Sequence, residues 1–165
     1  MDKIELTTTK SKTDLIYRIE PRDVAIILIN GRDLAAMLRE VERPFAEAEG
    51  HPEIAGQYEG LPVNVICSPS RHLLAEPSDY ENFICEHDDK IPIYRCGSCG
   101  NDGCWPLVVR IVVTGDSVTW SDFEQPHRCL SEGHAWRYDS FGPFVFDRNQ
   151  YEEALCARLD PQEPP

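Results

Sequence analysis

Three cysteines fall within nine residues, in the stretch Cys96-Gly97-Ser98-Cys99-Gly100-Asn101-Asp102-Gly103-Cys104. Thiolates are soft ligands, and zinc takes four nitrogen or sulfur donors tetrahedrally at about 2.0–2.3 Å. Two cysteines separated by two residues reach one ion while the chain between them turns and aims its amides at the sulfurs. Gly97, Gly100 and Gly103 are expected to supply the positive φ angles of so tight a wrap. The spacing provides three ligands and poses the question of a fourth. Inert core cysteines are an alternative reading, but three within nine residues interleaved with glycine are unlike core packing. A Cys96–Cys99 redox pair would be expected to open a helix after a strand, and no such helix is indicated here. Three cysteines and one histidine close the coordination sphere, as structural zinc requires, whereas catalytic zinc keeps a water position open.

The fourth donor is sought across a hairpin. Leu107–Thr114 is β-branched and apolar, Gly115-Asp116 has the form of a two-residue turn suited to type II′ geometry, and Ser117–Phe123 returns with alternating pattern. If Thr114 faces Ser117, continuing the ladder sets Cys104 opposite His127, although Pro106 and Pro126 must distort the last rungs. The expected site is therefore Cys96, Cys99, Cys104 and His127 around a structural Zn2+. Cys129 is the main competitor of His127, with Cys85, His87 and His134 behind it.

Other residues invite chemistry less specifically. His51, between Gly50 and Pro52, and His72, after Arg71, are candidates for catalysis that read rather as idle, solvent-exposed loop histidines. Trp120, Trp136 and Tyr138 read as core, with the wall of a ligand pocket or a partner surface as the alternatives. Asp122, Glu124, His127 and Arg128 set acid, base and cation side by side, the choice for an active site if His127 is not a ligand. No nucleotide-binding loop, HExxH or EF-hand pattern occurs.

The elements that must position these groups follow from periodicity. Leu15–Glu20 and Val24–Asn30 read as strands around the turn Pro21-Arg22-Asp23. Asn30 is expected to start a helix with Asp33 in its first turn and Leu34, Leu38, Val41 and Phe45 on its buried stripe. Pro44 should end or bend that helix near Arg43. Residues 50–62 read as loop, Val63–Cys67 as a short apolar run, and Arg71–Asp89 as irregular, anchored by Phe83 and Ile84. Ile91–Arg95 is a strand leading into the cysteines. Phe144–Phe146 is a last strand, after which Asp147 caps a helix buried through Tyr151, Leu155 and Leu159. The expected class is α+β, a mostly antiparallel sheet with two main helices and a zinc-bound loop beside a β-hairpin. Residues 1–13 are expected to fray, 14–160 to form one domain, and 161–165 to be a Pro-rich tail.

Several stretches together resemble a known pattern. They are Cys99-Gly100…Gly103-Cys104-Trp105-Pro106-Leu107, Trp120-Ser121-Asp122-Phe123-Glu124-Gln125-Pro126-His127-Arg128, and Phe141-Gly142-Pro143-Phe144-Val145-Phe146-Asp147-Arg148-Asn149-Gln150-Tyr151. With Pro44-Phe45-Ala46, Gly50-His51-Pro52 and Pro69-Ser70-Arg71-His72, they are similar to a family of small bacterial cytosolic proteins with no established activity. The resemblance implies a bacterial cytosolic protein. In that pattern the first cysteine lies one residue nearer Cys99, so Cys96 is where this chain departs from it.

Charge narrows the function classes. The 165 residues include 29 Asp/Glu and 16 Lys/Arg, a formal net charge of -13. Residues 1–43 carry eight of each sign, so residues 44–165 hold 21 acidic against 8 basic side chains. Such a field repels nucleic acid and anionic membranes and steers basic partners. The N-terminal residues have no secretory pattern and no run approaches a membrane span, so a cytoplasmic protein with reduced thiols is expected. The leading expectation is an acidic, zinc-stabilised protein-binding domain, most concretely an immunity or antitoxin-type inhibitor of a basic toxin. The alternative is a small zinc-dependent hydrolase or a thiol-based oxidoreductase using the cysteine cluster.

Overall fold

The computed structural model describes residues 1–76, 89–129, 135–157 and 159. It is an α+β fold of two antiparallel sheets. The first holds β1 (Ile4–Lys10), β2 (Asp23–Ile29) and β3 (Arg32–Asp33), in that order. The second is a meander of β4 (Tyr58–Gly60), β5 (Lys90–Cys96), β6 (Leu107–Val113), β7 (Ser117–Glu124) and β8 (Phe144–Asp147). The main helices are α2 (Leu34–Ala48) and α4 (Arg148–Cys156), with two short ones, α1 (Lys12–Ile16) and α3 (Val63–Ile66).

The sheets meet at two seams and curl around one core. At one seam Ala25 N donates to Leu61 O at 2.9 Å; at the other Asp2 N donates to Val145 O at 2.7 Å. Gly60 permits the first approach, because a Cβ there would overlap the Ala25 carbonyl. The core joins Ile4, Ile27 and Ile29 to Leu34 and Leu38 of α2, then to Ile93, Val109, Trp120 and Phe146 of the second sheet. Tyr151 and Leu155 close it from α4. Tyr151 also accepts a hydrogen bond from Trp120 Nε1 at 3.0 Å and donates to Leu73 O at 2.7 Å.

Several local expectations need correction. Residues 4–10 are not frayed but form β1, whose alternate residues Ile4, Leu6 and Thr8 are buried. Leu15–Glu20 is not a strand: Ser11 caps α1 there, and Leu15, Ile16, Tyr17 and Ile19 stand in solvent. Asn30 does not start the helix. With φ of 53° and 77°, Asn30 and Gly31 turn β2 into β3, the backbone that an Asn-Gly pair favours. Asp33 is the N-cap of α2, accepting from Ala35 N at 2.8 Å. Pro44 lies inside α2 on its exposed side, where the missing N–H is tolerated and the helix continues to Ala48. Val63–Cys67 is mostly helix α3, and residues 50–62 include β4. The hairpin turn lies at Gly115-Asp116, but Gly115 is not among the positive-φ residues that type II′ geometry requires. Phe83, Ile84 and residues 161–165 lie outside the described residues.

Candidate metal centre

Strand β5 carries the chain into the cysteine turn. Cys96, its last residue, is 3% exposed, whereas Cys99 is half-buried and Cys104 exposed. Gly100 N donates to Cys96 O at 2.9 Å, closing the turn, and Gly97 N donates to Gln57 O at 2.9 Å, tying it to the residue before β4. Of the three glycines expected to need positive φ, only Gly100 adopts it, at 71°. Gly97 instead avoids the backbone of Gln57 and Tyr58, which an added Cβ would meet at 3.0 Å.

The three sulfurs converge. Cys96, Cys99 and Cys104 present their Sγ atoms all within 4.8 Å of one another, so one metal ion could contact all three. Burial alone would raise the Cys96 thiol, but the amides of Cys99 and Ser98 and the neighbouring thiols outweigh it and lower its pKa. Cys104, hydrogen-bonded to the Cys99 sulfur and partly desolvated, is pushed up to about 12. Of these two thiols the innermost, Cys96, is the readier to ionise, and a bound cation would displace thiol protons. Soft donors, close sulfurs and amides directed at thiolate fit a thiophilic metal.

Beneath the turn lies a polar network that the sequence reading missed. Arg95, 2% exposed, donates through its NH2 group to Glu59 Oε2 at 2.7 Å and Ser11 Oγ at 3.1 Å. Glu59 also accepts from Thr13 Oγ1 at 2.6 Å and Lys12 N at 2.8 Å. Burial pushes the Glu59 carboxyl up, but the Thr13 and Arg95 hydrogen bonds prevail and its pKa is lowered. Thr13 packs on the cysteine turn itself: a Cβ on Gly100 would lie 2.5 Å from Thr13 Oγ1. Helix α1, β4, β5 and the cysteine turn thus meet at one point.

His127 is close to this turn but outside the sulfur group. Its Nε2 lies 3.0 Å from Gly103 O, and its ring stacks on Trp105 with centroids 6.1 Å apart. The ladder explains the offset. From Val113–Val118 to Arg110–Ser121 the register is the expected one, but Val108 pairs with Glu124, one residue on. Asp122, at φ 52°, is the extra residue of a bulge, and its carboxylate pairs with Arg110. Carried past the last pair, the shifted register sets His127 opposite Trp105 rather than Cys104, consistent with the stacking of the two rings. Cys129 is half-buried and not in the sulfur group, while Cys85, His87 and His134 lie outside the described residues.

The remaining candidates separate cleanly. His51 is exposed, with Nδ1 3.1 Å from Glu53. His72, expected in solvent, is fully buried with Nε2 2.6 Å from Pro92 O. Trp120 is core. Trp136 and Tyr138 line a cavity of about 790 Å3 with Asp122, Glu124 and Arg128, but His127 does not face it. The charged side chains there pair within the protein: Glu124 with Lys90, Arg128 with Glu49, and Asp122 with Arg110. Glu42, unmarked in the sequence reading, is fully buried and accepts from Tyr138 OH at 2.6 Å, Tyr58 OH and Gly56 N at 2.7 Å. The readable signal was its place in the i,i+4 series Leu34, Leu38, Glu42, Ala46, where an acid stands on an apolar stripe. Among the described residues no helix is long and apolar enough to cross a membrane. Comparison with protein-family models, curated proteins and solved structures finds no match for this chain.

Proposed function

We propose that this chain is an acidic, zinc-stabilised protein-binding domain of the cytoplasm, whose partner is a basic protein; its most specific form is an immunity or antitoxin-type inhibitor. The observation that carries the metal half of this reading is the convergence of three sulfurs on a turn anchored to β4 and α1. A metal there would fasten three segments distant in sequence, the work of a structural ion. His127 is the proposed fourth ligand: its Nε2 lies 3.0 Å from the carbonyl of Gly103, the residue before Cys104. Charge supports the partner half, since a surplus of thirteen negative charges accelerates encounter with a basic protein.

Two measurements test the reading. Protein purified without chelators should hold close to one zinc per chain, and a strong chelator should lower its melting temperature. Metal-free protein with all thiols titratable would refute the zinc assignment. Association with the native partner should slow several-fold between low salt and about 0.5 M, where screening shortens the field to a few Å. A salt-independent on-rate would remove the electrostatic basis. A turnover abolished by Cys99→Ala would favour a zinc hydrolase or thiol oxidoreductase instead.

A further inference from the structure

Residues 11–22 leave the body of the protein as a closed loop. Its ends meet where Ser11 N donates to Arg22 O at 2.9 Å. Inside, Asp14 accepts from Arg22 N and Nε, both at 3.0 Å, and Ile19 N donates to Asp14 O at 2.9 Å. Below, Glu59 and Arg95 grip Ser11, Lys12 and Thr13, as described above. The stem is thus fixed by buried charge and hydrogen bonds. The tip is the opposite: Leu15, Ile16, Tyr17 and Ile19 are 57%, 67%, 56% and 57% exposed. Of the six large hydrophobic side chains that stand in solvent among the described residues, these four lie within five positions.

Scattered exposed hydrophobics are ordinary, but a contiguous group on a braced support marks a contact surface. We propose that this loop is a docking element that inserts into an apolar pocket of a positively charged protein. The inference rests on the protein-binding reading and locates its contact. Charge selects the occupant. A second copy would bring another thirteen negative charges, and an anionic bilayer is repelled by the same field. The loop itself is nearly balanced, with Lys12, Arg18 and Arg22 against Asp14 and Glu20. Interfaces favour a charge-poor apolar centre, and the net negative charge of the whole molecule guides a basic partner's approach. A fixed stem also spares the partner the entropy of ordering the loop.

The test places photoreactive benzoylphenylalanine at Tyr17 of the full chain in its native host, with Glu153 on α4 as the control position. The expected result is an adduct with one protein of net positive charge, formed from position 17 and not from 153. That protein, purified, should bind Ile16→Asp and Leu15→Asp at least about tenfold more weakly than the parent, as for a central apolar anchor. Because both positions are exposed, the melting temperatures of the variants should match the parent. Dimer adducts, lipid adducts confirmed by binding to phosphatidylglycerol vesicles, or no adduct at position 17 would each overturn the proposal. If a basic partner binds with strong salt dependence yet is indifferent to Ile16→Asp, the loop assignment fails and the protein-binding reading stands. If no basic protein binds under any condition, both fail.

Discussion

Replacing Gly100 by alanine tests whether the cysteine turn is seated on α1. Two costs combine at this position. The backbone at φ 71° disfavours any side chain by about 1–2 kcal/mol. The new Cβ would also meet Thr13 Oγ1 at 2.5 Å and Thr13 Cβ at 3.1 Å, an overpacking worth about 1–3 kcal/mol. Thr13 cannot simply swing away, because its hydroxyl donates to Glu59 at 2.6 Å. Gly31 is the matched control: its φ is 77°, but a Cβ there meets nothing within 4 Å. Gly31→Ala should therefore lose about 1 kcal/mol and Gly100→Ala about 3 kcal/mol, a difference of roughly thirtyfold in the folding equilibrium. Urea unfolding with zinc in excess measures both, provided the slope is unchanged. In a Thr13→Ala background the nearer of the two atoms is gone, and the Gly100→Ala penalty should shrink by about 1 kcal/mol. Equal losses at positions 31 and 100, or strict additivity with Thr13→Ala, would refute the seating.

The other predictions concern ligands and buried acids. His127→Ala should reduce zinc retention while His51→Ala leaves it unchanged; retention lost in Cys129→Ala but kept in His127→Ala would give the fourth position to the cysteine. Glu42→Ala should cost about 3–5 kcal/mol, since two tyrosine hydroxyls and Gly56 N–H lose their acceptor, whereas Glu42→Gln should cost about 1 kcal/mol. Burial raises the Glu42 carboxyl despite those donors, so its contribution fades as pH rises above the unfolded value, and denaturation of Glu42→Gln should show a flatter slope there. Asp14 has the opposite sign: the side-chain hydrogen bond from Arg22 holds its carboxyl far below the usual range. Its stabilisation is present above the unfolded value, near pH 4, and lost on acidification, so Asp14→Asn should blunt the acid limb of the stability curve.

Legibility in the sequence tracked the range of the interactions involved. Strands β5 to β8 and helix α4 were readable because each is specified locally, by β-branched alternation or by the Asp147 cap. The cysteine turn was equally legible from its spacing. Helix α1 was misread because Leu15, Ile16 and Ile19 have strand-like composition; the Ser11 cap is a local signal that was there to read, whereas the grip of Glu59 and Arg95 on Ser11 and Thr13 comes from distant segments. Residues 4–10 looked frayed because Thr and Lys dominate them, yet pairing with all of β2 makes them a strand. The ladder rule located the Cys104 loop beside His127 but missed by one residue, since nothing in the composition of Ser121-Asp122-Phe123 announces a bulge. Arg95 and Glu59 were invisible for a related reason: an ion pair is buried only when two distant segments already touch.

The seam at the start of β1 bears on how the chain is made. Gln150 donates to Ile4 O at 2.7 Å and accepts from Ile4 N at 3.2 Å, and Asp2 accepts from Val145 N at 2.8 Å. The edge of β1 is thus completed by residues synthesised more than a hundred and forty positions later. Contacts of such separation carry the loop-closure entropy of nearly the whole chain and belong to slow folding. During translation β1 and β2 can pair, but the outer edge of β1 stays open until α4 has cleared the ribosome. An open edge is where strands from other molecules add. Nascent chains stalled before residue 144 should therefore be protease-sensitive and prone to association, and the step from soluble nascent chain to protected fold should come abruptly with the final helix.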